Sequence, residues 1–510
     1  MTGADHNDVI VIGGGPVGML VANELALHGI SALVLEQRGE VSEYPKAGTY
    51  HARAIATLAR RGMITVPRVT TDHRQETVEP FQFAGYPWLS VRGRTIDGPV
   101  MLGIAQADLE RAIARRAEAS GARVLRRHKA ISVEQDDEGV RVVAAGPDGV
   151  EQSFAAGYVV GADGGRSTVR RSGAFAVREY APTMRAILGL AHVPHPEQLR
   201  PGWTPTPRGW TLLNLNRYGD SRLIVFEFDG PITDRAEPVT PEEFTAAVDR
   251  AAGSHVDLVE PHYLNRFSDY SRVVDNYRHG RLLLAGDAAH IHYPLGGQGL
   301  NTGINDAVNL GWKLAAVLTG AADERLLDTY GAEREAIGKW LIDNTRLQST
   351  LMNPDPANEP LRNMVEKWLR EPAAHDWLAD QINGTSVRHP VHDGDARAHP
   401  LDGEFVPDFE LGAIDGATLS VAELLQRGEF LVLARASVAQ TVDEAVELPF
   451  SRIVAVSSGL PEEYPDVVLV RPDGYVAWAG GPDAIIEMTE SVRRHFGLRA
   501  KVRTPAAIDV

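Results

Sequence analysis

A glycine-rich turn near the start of the chain is the first segment whose residues could do chemistry. Residues 13–18 read Gly-Gly-Gly-Pro-Val-Gly, a GxGxxG pattern that follows a short apolar run at 9–12. Gly13 allows the tight turn, Gly15 lets a pyrophosphate approach the backbone, and Gly18 lets the following helix pack closely on the strands. The pattern therefore predicts a phosphate-binding turn between a strand and a helix.

The residues around this turn indicate that the phosphate belongs to a dinucleotide. Pro16 stands at the first helical position, so the helix would begin with its free N–H groups and its positive dipole end towards the phosphates. Glu36 ends the next apolar run, residues 31–35. Its carboxylate can accept hydrogen bonds from ribose hydroxyls and would repel a 2′-phosphate. The motif by itself leaves FAD and NAD open.

Two later segments narrow the choice. Residues 161–170 read Gly-Ala-Asp-Gly-Gly-Arg-Ser-Thr-Val-Arg, and residues 281–290 read Arg-Leu-Leu-Leu-Ala-Gly-Asp-Ala-Ala-His. With the first turn and Glu36, they resemble the three fingerprints of the class A flavoprotein aromatic hydroxylases, in the phenol hydroxylase and aromatic polyketide hydroxylase branch. The resemblance covers residues 8–350 and extends more loosely into the tail. It implies a bound FAD and a transiently bound NADPH, with NADH as the alternative.

The resemblance also assigns cofactor contacts outside the first turn. Asp287 matches the aspartate that binds the ribityl chain, and a carboxylate can accept hydrogen bonds from two hydroxyl groups. Gln106 matches a side chain that contacts the FAD phosphate or ribityl region, although a polar surface residue would look the same. Asp163 matches an aspartate associated with FAD and pyridine nucleotide binding. The alternative for Asp163 is a turn aspartate held by backbone N–H groups.

Residues 294–301, Pro-Leu-Gly-Gly-Gln-Gly-Leu-Asn, resemble the family segment that runs beside the isoalloxazine ring and opens a long helix. Glycines let the backbone approach a flat ring, and a helix N-terminus can face the ring edge where negative charge develops. Lys46 stands where relatives often carry arginine; lysine keeps the charge for a contact to the cofactor phosphates but lacks the planar bidentate fork. Arg53 is the neighbouring basic residue and could share this phosphate contact. The predicted cofactor-binding residues are Gly13, Gly15, Pro16, Gly18, Glu36, Lys46, Arg53, Gln106, Asp163, Asp287, Pro294, Gly297, Gly299, Leu300 and Asn301.

The substrate is expected between the flavin and a middle sheet. Trp210 and Asn214 fall on one face of a predicted strand and are the candidates for lining the pocket, with core packing as the alternative for Trp210. No catalytic residue and no general base can be named. An aromatic-rich stretch could cover the opening: Phe81, Phe83, Tyr86 and Trp88.

The composition excludes several other kinds of site. The 510 residues include no cysteine, which rules out disulfides, thiolate metal ligands and CxxC redox chemistry. The net charge is −17 without a long basic block, so nucleic-acid binding is not expected. His290 and His292 have a metal-like HxH spacing, but no carboxylate pattern surrounds them, so no metal site is predicted. We expect a cytoplasmic monomer or homodimer without a membrane segment.

These residues need an α/β scaffold to bring them together. We expect a Rossmann-like FAD-binding domain in residues 1–178 and 276–400, interleaved with a mixed or antiparallel substrate sheet in residues 179–275. Residues 401–510 resemble the thioredoxin-like C-terminal domain of the phenol hydroxylase branch, without CxxC. No second GxGxxG follows a strand, so NADPH is expected to bind without a dinucleotide domain of its own.

The resemblance finally implies a reaction. NADPH would reduce the flavin, O2 would add to give a C4a-hydroperoxyflavin, and an aromatic, polycyclic, polyketide-type phenol would be hydroxylated. Baeyer–Villiger insertion and oxidative inactivation of an antibiotic are alternatives with the same cofactor. A non-catalytic protein that binds FAD or another ligand is the alternative from a different class.

Overall fold

The structure is a computed structural model that describes residues 6–43, 47–66, 76–94, 98–389, 399–414 and 416–502. Its α-helices are α1 (Pro16–Ala26), α2 (Ala52–Ala59), α3 (Gln106–Ala119), α4 (Thr168–Ser172), α5 (Pro241–Ala252), α6 (Gln298–Leu318), α7 (Leu326–Met352), α8 (Glu359–Leu369), α9 (Pro372–Asn383), α10 (Val421–Leu424), α11 (Ala439–Ala445) and α12 (Ile485–Phe496). The strands of the first half are β1 (His6–Ile12), β2 (Ala32–Glu36), β3 (Thr49–His51), β4 (Glu76–Phe83), β5 (Tyr86–Arg94), β6 (Met101–Gly103), β7 (Arg123–Arg126), β8 (Lys129–Gln135), β9 (Val140–Ala145), β10 (Glu151–Gly161), β11 (Val177–Tyr180), β12 (Arg185–His192), β13 (Gly202–Thr206), β14 (Gly209–Asn214) and β15 (Ser221–Glu227). The remaining strands are β16 (Val259–Ser268), β17 (Ser271–Val274), β18 (Arg278–His279), β19 (Leu282–Leu284), β20 (His290–Ile291), β21 (Glu410–Ala413), β22 (Thr418–Ser420), β23 (Phe430–Arg435), β24 (Val446–Glu447), β25 (Ser451–Ser458), β26 (Val467–Val470), β27 (Val476–Gly480) and β28 (Lys501–Val502).

An eight-stranded sheet carries the glycine-rich turn. Its strand order is β18-β19-β10-β1-β2-β7, with β8 and β9 branching from β10, and β2, β1, β10 and β19 run parallel. Val9, Ile10 and Val11 are fully buried, because helices cover both faces of a parallel sheet of this kind. The segments that follow β1, β2, β10 and β19 therefore meet at one edge, where open α/β sheets bind ligands.

A five-stranded antiparallel sheet faces that edge. Its order is β13-β14-β15-β12-β16, and all of its strands lie inside residues 179–275. One face packs on α5, where Phe244 and Val248 contact Leu213, Leu223 and Val225 in a buried apolar cluster. Because side chains alternate along a strand, the neighbouring positions project from the other face. That second face is free to form a wall towards the first sheet.

The C-terminal part forms a six-stranded mixed sheet with the order β22-β21-β25-β23-β26-β27. β23 and β25 run parallel, while β26 and β27 run antiparallel to their neighbours. Helix α12 packs on one face through Met488 and Val492, in an apolar cluster that also contains Trp312 of α6. The C-terminal sheet is thus joined to the first part of the chain through α6. The thioredoxin-like relationship and the four domain ranges stay predictions.

A buried cluster of charges reinforces this junction. We call it the charge cluster: Lys313 of α6, Glu333 of α7, and Arg471 and Asp473 from the turn between β26 and β27. The Arg471 guanidinium donates to both carboxylates at 2.6–2.9 Å, and Lys313 Nζ lies 2.9 Å from Glu333 Oε2. Two cations and two anions balance, which makes their burial tolerable. The C-terminal sheet and α6 are therefore held in one arrangement by charge as well as by apolar packing.

His389 lies beside the charge cluster, 3.7 Å from Glu333, and makes the fold sensitive to acid. Burial lowers the pKa of His389 to about 3, although the Glu333 carboxylate acts in the opposite direction. His389 is therefore protonated below about pH 6.5 in the unfolded chain but stays neutral in the folded chain. The free energy of unfolding consequently falls as the pH drops below about 6.5. We expect His389 to lower the free energy of unfolding by about 2 kcal/mol between pH 7.5 and pH 5.

Urea unfolding at several pH values between 7.5 and 5 measures this effect against His389→Gln. The free energy of unfolding of the variant should fall less with acid, by the same amount of about 2 kcal/mol. Any packing loss in the variant is independent of pH and shifts its whole curve. Parallel curves for the two proteins would contradict the prediction. Carboxylates that begin to bind protons near about pH 5 contribute to both proteins, so their effect cancels in the comparison with the variant.

Within the described residues, no helix is both long enough and apolar enough to cross a membrane.

Candidate functional site

A cavity of about 1250 Å³ lies between the eight-stranded and five-stranded sheets. At one end it is lined by the segments that follow β1, β2, β10 and β19, and at the other by side chains of the five-stranded sheet. The predicted cofactor-binding residues that line it are Gly15, Pro16, Glu36, Gln106, Asp287, Pro294, Gly297, Gly299 and Leu300. The structure therefore brings most of the predicted cofactor set together around one space.

The glycines of the first turn have different surroundings. A Cβ on Gly13 would lie 2.4 Å from Ala162 O, and one on Gly18 would lie 1.9 Å from Gly13 O. Gly13 also has a φ of +107°, which side chains disfavour. A Cβ on Gly15 would meet nothing within 4 Å. Packing thus requires glycine at positions 13 and 18, whereas at Gly15 the missing side chain leaves open space at the cavity wall.

The N-terminus of α1 is directed at this open space. Gly15 is the N-cap residue, with no side chain to cap the helix, and its carbonyl oxygen accepts from Met19 N at 2.9 Å. Glu36 lies beside the turn, where Oε2 accepts from Gly14 N and Oε1 accepts from Arg38 N, both at 2.7 Å. Each carboxylate oxygen keeps a lone pair for a hydroxyl donor. A nucleotide with its pyrophosphate at Gly15 and a ribose at Glu36 fits these groups.

Asp287 stands on a turn that a buried ion network positions. The preceding residue, Gly286, donates its N–H to Asp306 Oδ2 at 3.0 Å, and His290 Nε2 contacts the same oxygen at 2.7 Å. Arg334 Nε donates to Asp306 Oδ1 at 2.7 Å. Burial raises the pKa of Asp306, but Arg334 and His290 outweigh it and lower that pKa to about 2. A permanently ionised Asp306 therefore fixes the turn that presents the exposed Asp287 carboxylate to the cavity.

The loop before α6 supplies backbone groups to the same cavity. Gly296 and Gly297 both have a φ of +66°, and α6 begins directly after them with Gly299 and Leu300 at the cavity wall. Asn301 does not line the cavity. Its side chain accepts from His51 N at 2.8 Å and donates to Thr49 O and Gly297 O at 3.1 and 2.7 Å. Asn301 thus positions the loop, while the helix N-terminus faces the space where a flavin ring would lie.

Three of the predicted cofactor residues have other surroundings. Arg53 is turned away from the cavity: it donates to Gly384 O and Thr385 O at 3.2 and 3.4 Å and lies over the Phe405 ring at 3.4 Å. The expectation that Arg53 shares a contact to the cofactor phosphates is therefore wrong, because α2 presents it to residues 384–385 and to Phe405. Asp163 is half-buried, its Oδ2 accepts from Thr168 N at 2.6 Å, and desolvation raises its pKa. These contacts of Asp163 match the alternative of a turn aspartate held by backbone N–H groups. Lys46, the third of these residues, lies outside the described residues.

Gln106 lines the cavity and also braces its wall. Its Oε1 accepts from Ala47 N at 3.2 Å, and its backbone N–H donates to Ala47 O at 3.2 Å. The side-chain nitrogen remains available as a donor to a ligand. Gln106 therefore fits a contact to a phosphate or a ribityl hydroxyl.

At the substrate end, Asn214 lines the cavity but Trp210 does not. The Trp210 indole is 2% exposed and donates Nε1–H to Met352 O at 2.8 Å, with Tyr86 packed edge-on at 4.9 Å. The expectation that Trp210 contacts substrate is wrong, because the turn between β4 and β5 and the end of α7 cover the ring. The main wall of this end was not predicted from the sequence. It is formed by Leu188, Trp203, Leu212, Arg222, Ile224, Phe226, Phe267 and Tyr293. Pairing Asn214 with the alternate positions of the next strand would have indicated Arg222, Ile224 and Phe226.

The aromatic stretch between residues 81 and 88 belongs to the hairpin of β4 and β5. Phe81 lines the cavity and would contact a Cβ on Gly296 at 2.9 Å, whereas Phe83 is buried in the core. Tyr86 and Trp88 stack at 4.1 Å. Phe81 is the member of the stretch that reaches the cavity.

His290 and His292 do not act as a pair. His290 is bonded to Asp306, while His292 lines the cavity and donates Nδ1–H to Tyr293 O at 2.7 Å. Burial, with repulsion from His290, lowers the pKa of His292 to about 4, so the ring is neutral at pH 7. Within the described residues no three His, Cys, Asp or Glu side chains form a metal-binding group.

The groups at the nucleotide end fit FAD. Open space at Gly15, the uncapped helix start, Glu36, Gln106 and Asp287 supply what a pyrophosphate, a ribose and a ribityl chain would need. The glycine loop before α6 can approach a flat ring. A cavity that continues past this end leaves room for a second molecule.

Comparison with known proteins agrees with this assignment. The profile described as "FAD binding domain" matches residues 6–345, and the one described as "Aromatic-ring hydroxylase, C-terminal" matches residues 399–498. The 12-dehydrotetracycline 5-monooxygenase/anhydrotetracycline 6-monooxygenase of Streptomyces rimosus is 36% identical over 96% of this chain and 99% of that protein.

Solved structures are similar over nearly the whole chain. CabE, an aromatic hydroxylase from angucycline biosynthesis, has a TM-score of 0.83 and 32% identity, covering 96% of this chain and 99% of CabE. The Diels-Alderase PyrE3 of pyrroindomycin biosynthesis has a TM-score of 0.79 and 31% identity, covering 96% of this chain and all of PyrE3. From the cavity, the two profiles and these relatives, the chain belongs to the family of FAD-dependent aromatic-ring hydroxylases.

Proposed function

We propose that this chain is a monooxygenase that uses FAD and NADPH to hydroxylate a polycyclic, polyketide-type phenol. The observation that carries the proposal is the continuity of the cavity. A single space is lined at one end by Gly15, Glu36 and Asp287 and at the other by Trp203 and Phe226. A flat, electron-rich ring can therefore lie beside the flavin.

When bound, FAD would take two electrons from NADPH and direct one atom of O2 to the substrate and the other to water. The protein would bind the substrate, orient its ring and exclude water from the cavity. Phe226 contacts Tyr293 edge-on at 6.1 Å, and Trp203 stacks on Phe226 at 5.3 Å, so the wall opposite the glycine loop is apolar and aromatic. Such a wall keeps water from the oxygen-transfer step.

Among the described residues, neither His292 nor Tyr293 at the cavity wall is a strong base. His292 is neutral with a pKa of about 4, and burial raises the pKa of the Tyr293 hydroxyl well above its usual value. The proposed reaction needs only the orientation of an electron-rich ring, so it is compatible with a cavity wall in which His292 and Tyr293 are weak bases. NADPH is the proposed reductant, and a comparison of turnover with NADPH and NADH decides between them.

Product analysis tests the proposal. The holoenzyme is incubated with NADPH, O2 and a panel of polycyclic phenols that includes anhydrotetracycline. We expect at least one phenol to speed NADPH oxidation about tenfold or more and to gain one oxygen atom as a new hydroxyl group. No stimulation by any member would contradict the proposal, and an oxygen inserted between two carbons would favour the Baeyer–Villiger alternative.

A non-redox reaction is the second candidate, since PyrE3, named a Diels-Alderase, shares this fold. The discriminating arm omits NADPH and O2. A product of unchanged composition that forms in that arm would favour a cyclase. A product that requires both reagents would favour the monooxygenase.

A further inference from the structure

The wall of the five-stranded sheet changes from apolar to cationic along its strands. Three positions of β15 line the cavity in alternation: Phe226, Ile224 and Arg222. The opposite positions on β14 are Trp210, Leu212 and Asn214 respectively. The rows are thus aromatic, then aliphatic, then polar with one positive charge.

The aromatic row is the one next to the proposed flavin position. Phe226 contacts Tyr293, which precedes the loop before α6, and Phe267 of β16 lies at the same level. Leu188 of β12 pairs with Ile224 and continues the aliphatic row. Arg222 is four residues from Phe226, or about 14 Å at about 3.4 Å per residue. A ligand that touches both ends must be longer than one benzene ring.

Arg222 is a cation of this wall that lines the cavity beside Asn214. Arg266, on β16, also borders the cavity, but its guanidinium pairs with Glu243 on α5 at 2.9 Å and donates to Pro238 O. It therefore serves the opposite face of the sheet. Asp234 and Arg235 are adjacent residues of opposite charge at the border of the cavity.

We infer that Arg222, with Asn214 beside it, forms a subsite for an anionic oxygen at the end of a polycyclic aromatic substrate. A carboxylate or an acidic enol is the chemical class that this pair would bind. Arginine and asparagine donate to such oxygens, and hydrogen bonds that involve a charge are stronger than neutral ones. The aliphatic and aromatic rows then hold the ring system, and its far end reaches the flavin. The inference rests on the proposed function in treating this sheet as the substrate wall.

Two tricyclic phenols that differ by one carboxylate test the subsite: 1,8-dihydroxyanthraquinone and 1,8-dihydroxyanthraquinone-3-carboxylic acid. Their dissociation constants for the holoenzyme are measured by fluorescence titration without NADPH. We expect the carboxylate to bind about tenfold more tightly than the neutral phenol. In Arg222→Gln this preference should fall below about twofold.

Arg217→Gln is the matched control. Arg217 is exposed in the turn of the same β14–β15 hairpin, so the variant loses the same charge from outside the cavity. It should keep the full preference, and both variants should keep bound FAD and the thermal midpoint of the parent. Equal binding of the two compounds to the parent, an unchanged preference in Arg222→Gln, or no saturable binding of either compound would overturn the inference.

Turnover separates this inference from the proposed function. A carboxylate preference that depends on Arg222, in a holoenzyme that oxidises no member of the phenol panel, would support the subsite and contradict the monooxygenase. Hydroxylation of a phenol by a holoenzyme that shows no such carboxylate preference would support the monooxygenase and contradict the subsite.

Discussion

Gly15→Ala should weaken FAD binding at least about 100-fold while leaving the apoprotein folded. A methyl group at this position would meet no protein atom within 4 Å, so it would occupy the space in which the pyrophosphate approaches the helix. Losing two hydrogen bonds to a charged group, at about 1.5 kcal/mol each, accounts for a factor of this size. Flavin content after purification and titration of the apoprotein with FAD measure it.

Gly481→Ala is the matched control. Gly481 also precedes a proline, is an N-cap with φ −82° and ψ 170°, and has nothing within 4 Å of a Cβ; Gly15 has φ −75° and ψ −179°. Alanine is less favourable than glycine at an N-cap, so both substitutions should lower the free energy of unfolding of the apoprotein by about 1 kcal/mol or less. Only Gly15→Ala should lose FAD. A Gly15→Ala protein whose FAD affinity is within threefold of the parent would contradict this placement of the phosphate.

Arg471→Met should lower the free energy of unfolding by about 3–5 kcal/mol, because it leaves two buried carboxylates with one cation. Arg471 is 1% exposed and donates to both Asp473 and Glu333. Urea unfolding measures the loss. Adding Asp473→Asn should recover part of it, since Lys313 and Glu333 then remain as a neutral pair.

Arg325→Met tests whether the burial of Arg471 causes the expected loss of stability. Arg325 makes the same two-pronged pair with a carboxylate two residues away, at 3.0 and 2.7 Å from Asp323, but its side chain is 76% exposed. Exposed pairs contribute about 0–1 kcal/mol. Equal losses in Arg325→Met and Arg471→Met would contradict the explanation.

Local pattern was sufficient to predict the nucleotide end. The turn at residues 13–18 combines an apolar run, glycines and a helix start within a few residues, and each requirement is set by neighbours in sequence. Glu36 was found for the same reason, since it ends the strand that pairs with the first one. The segments that contain Asp287 and Leu300 were found by resemblance, and the structure brings them to the same cavity.

The two wrong predictions, for Arg53 and Trp210, concern residue types that occur both in ligand sites and in packing between distant segments. Arg53 is a cation close to a cofactor segment, but its environment depends on which side of α2 meets the C-terminal part. Trp210 shares a strand face with Asn214, yet the β4–β5 turn and the end of α7 cover Trp210 and leave Asn214 exposed. Neither contact has a local signal, because the partner lies more than one hundred residues away in sequence.

The sequence by itself determined that the first turn binds a dinucleotide, since glycine spacing, helix starts and acidic strand ends act over short distances. It also determined, through the absence of cysteine, that the C-terminal part has no thiol chemistry. Only the tertiary structure decided which side chains of the five-stranded sheet line the cavity and which ions balance in the core. Those facts depend on strand register and on helices packed from distant segments, because burial and charge pairing are properties of the assembled fold.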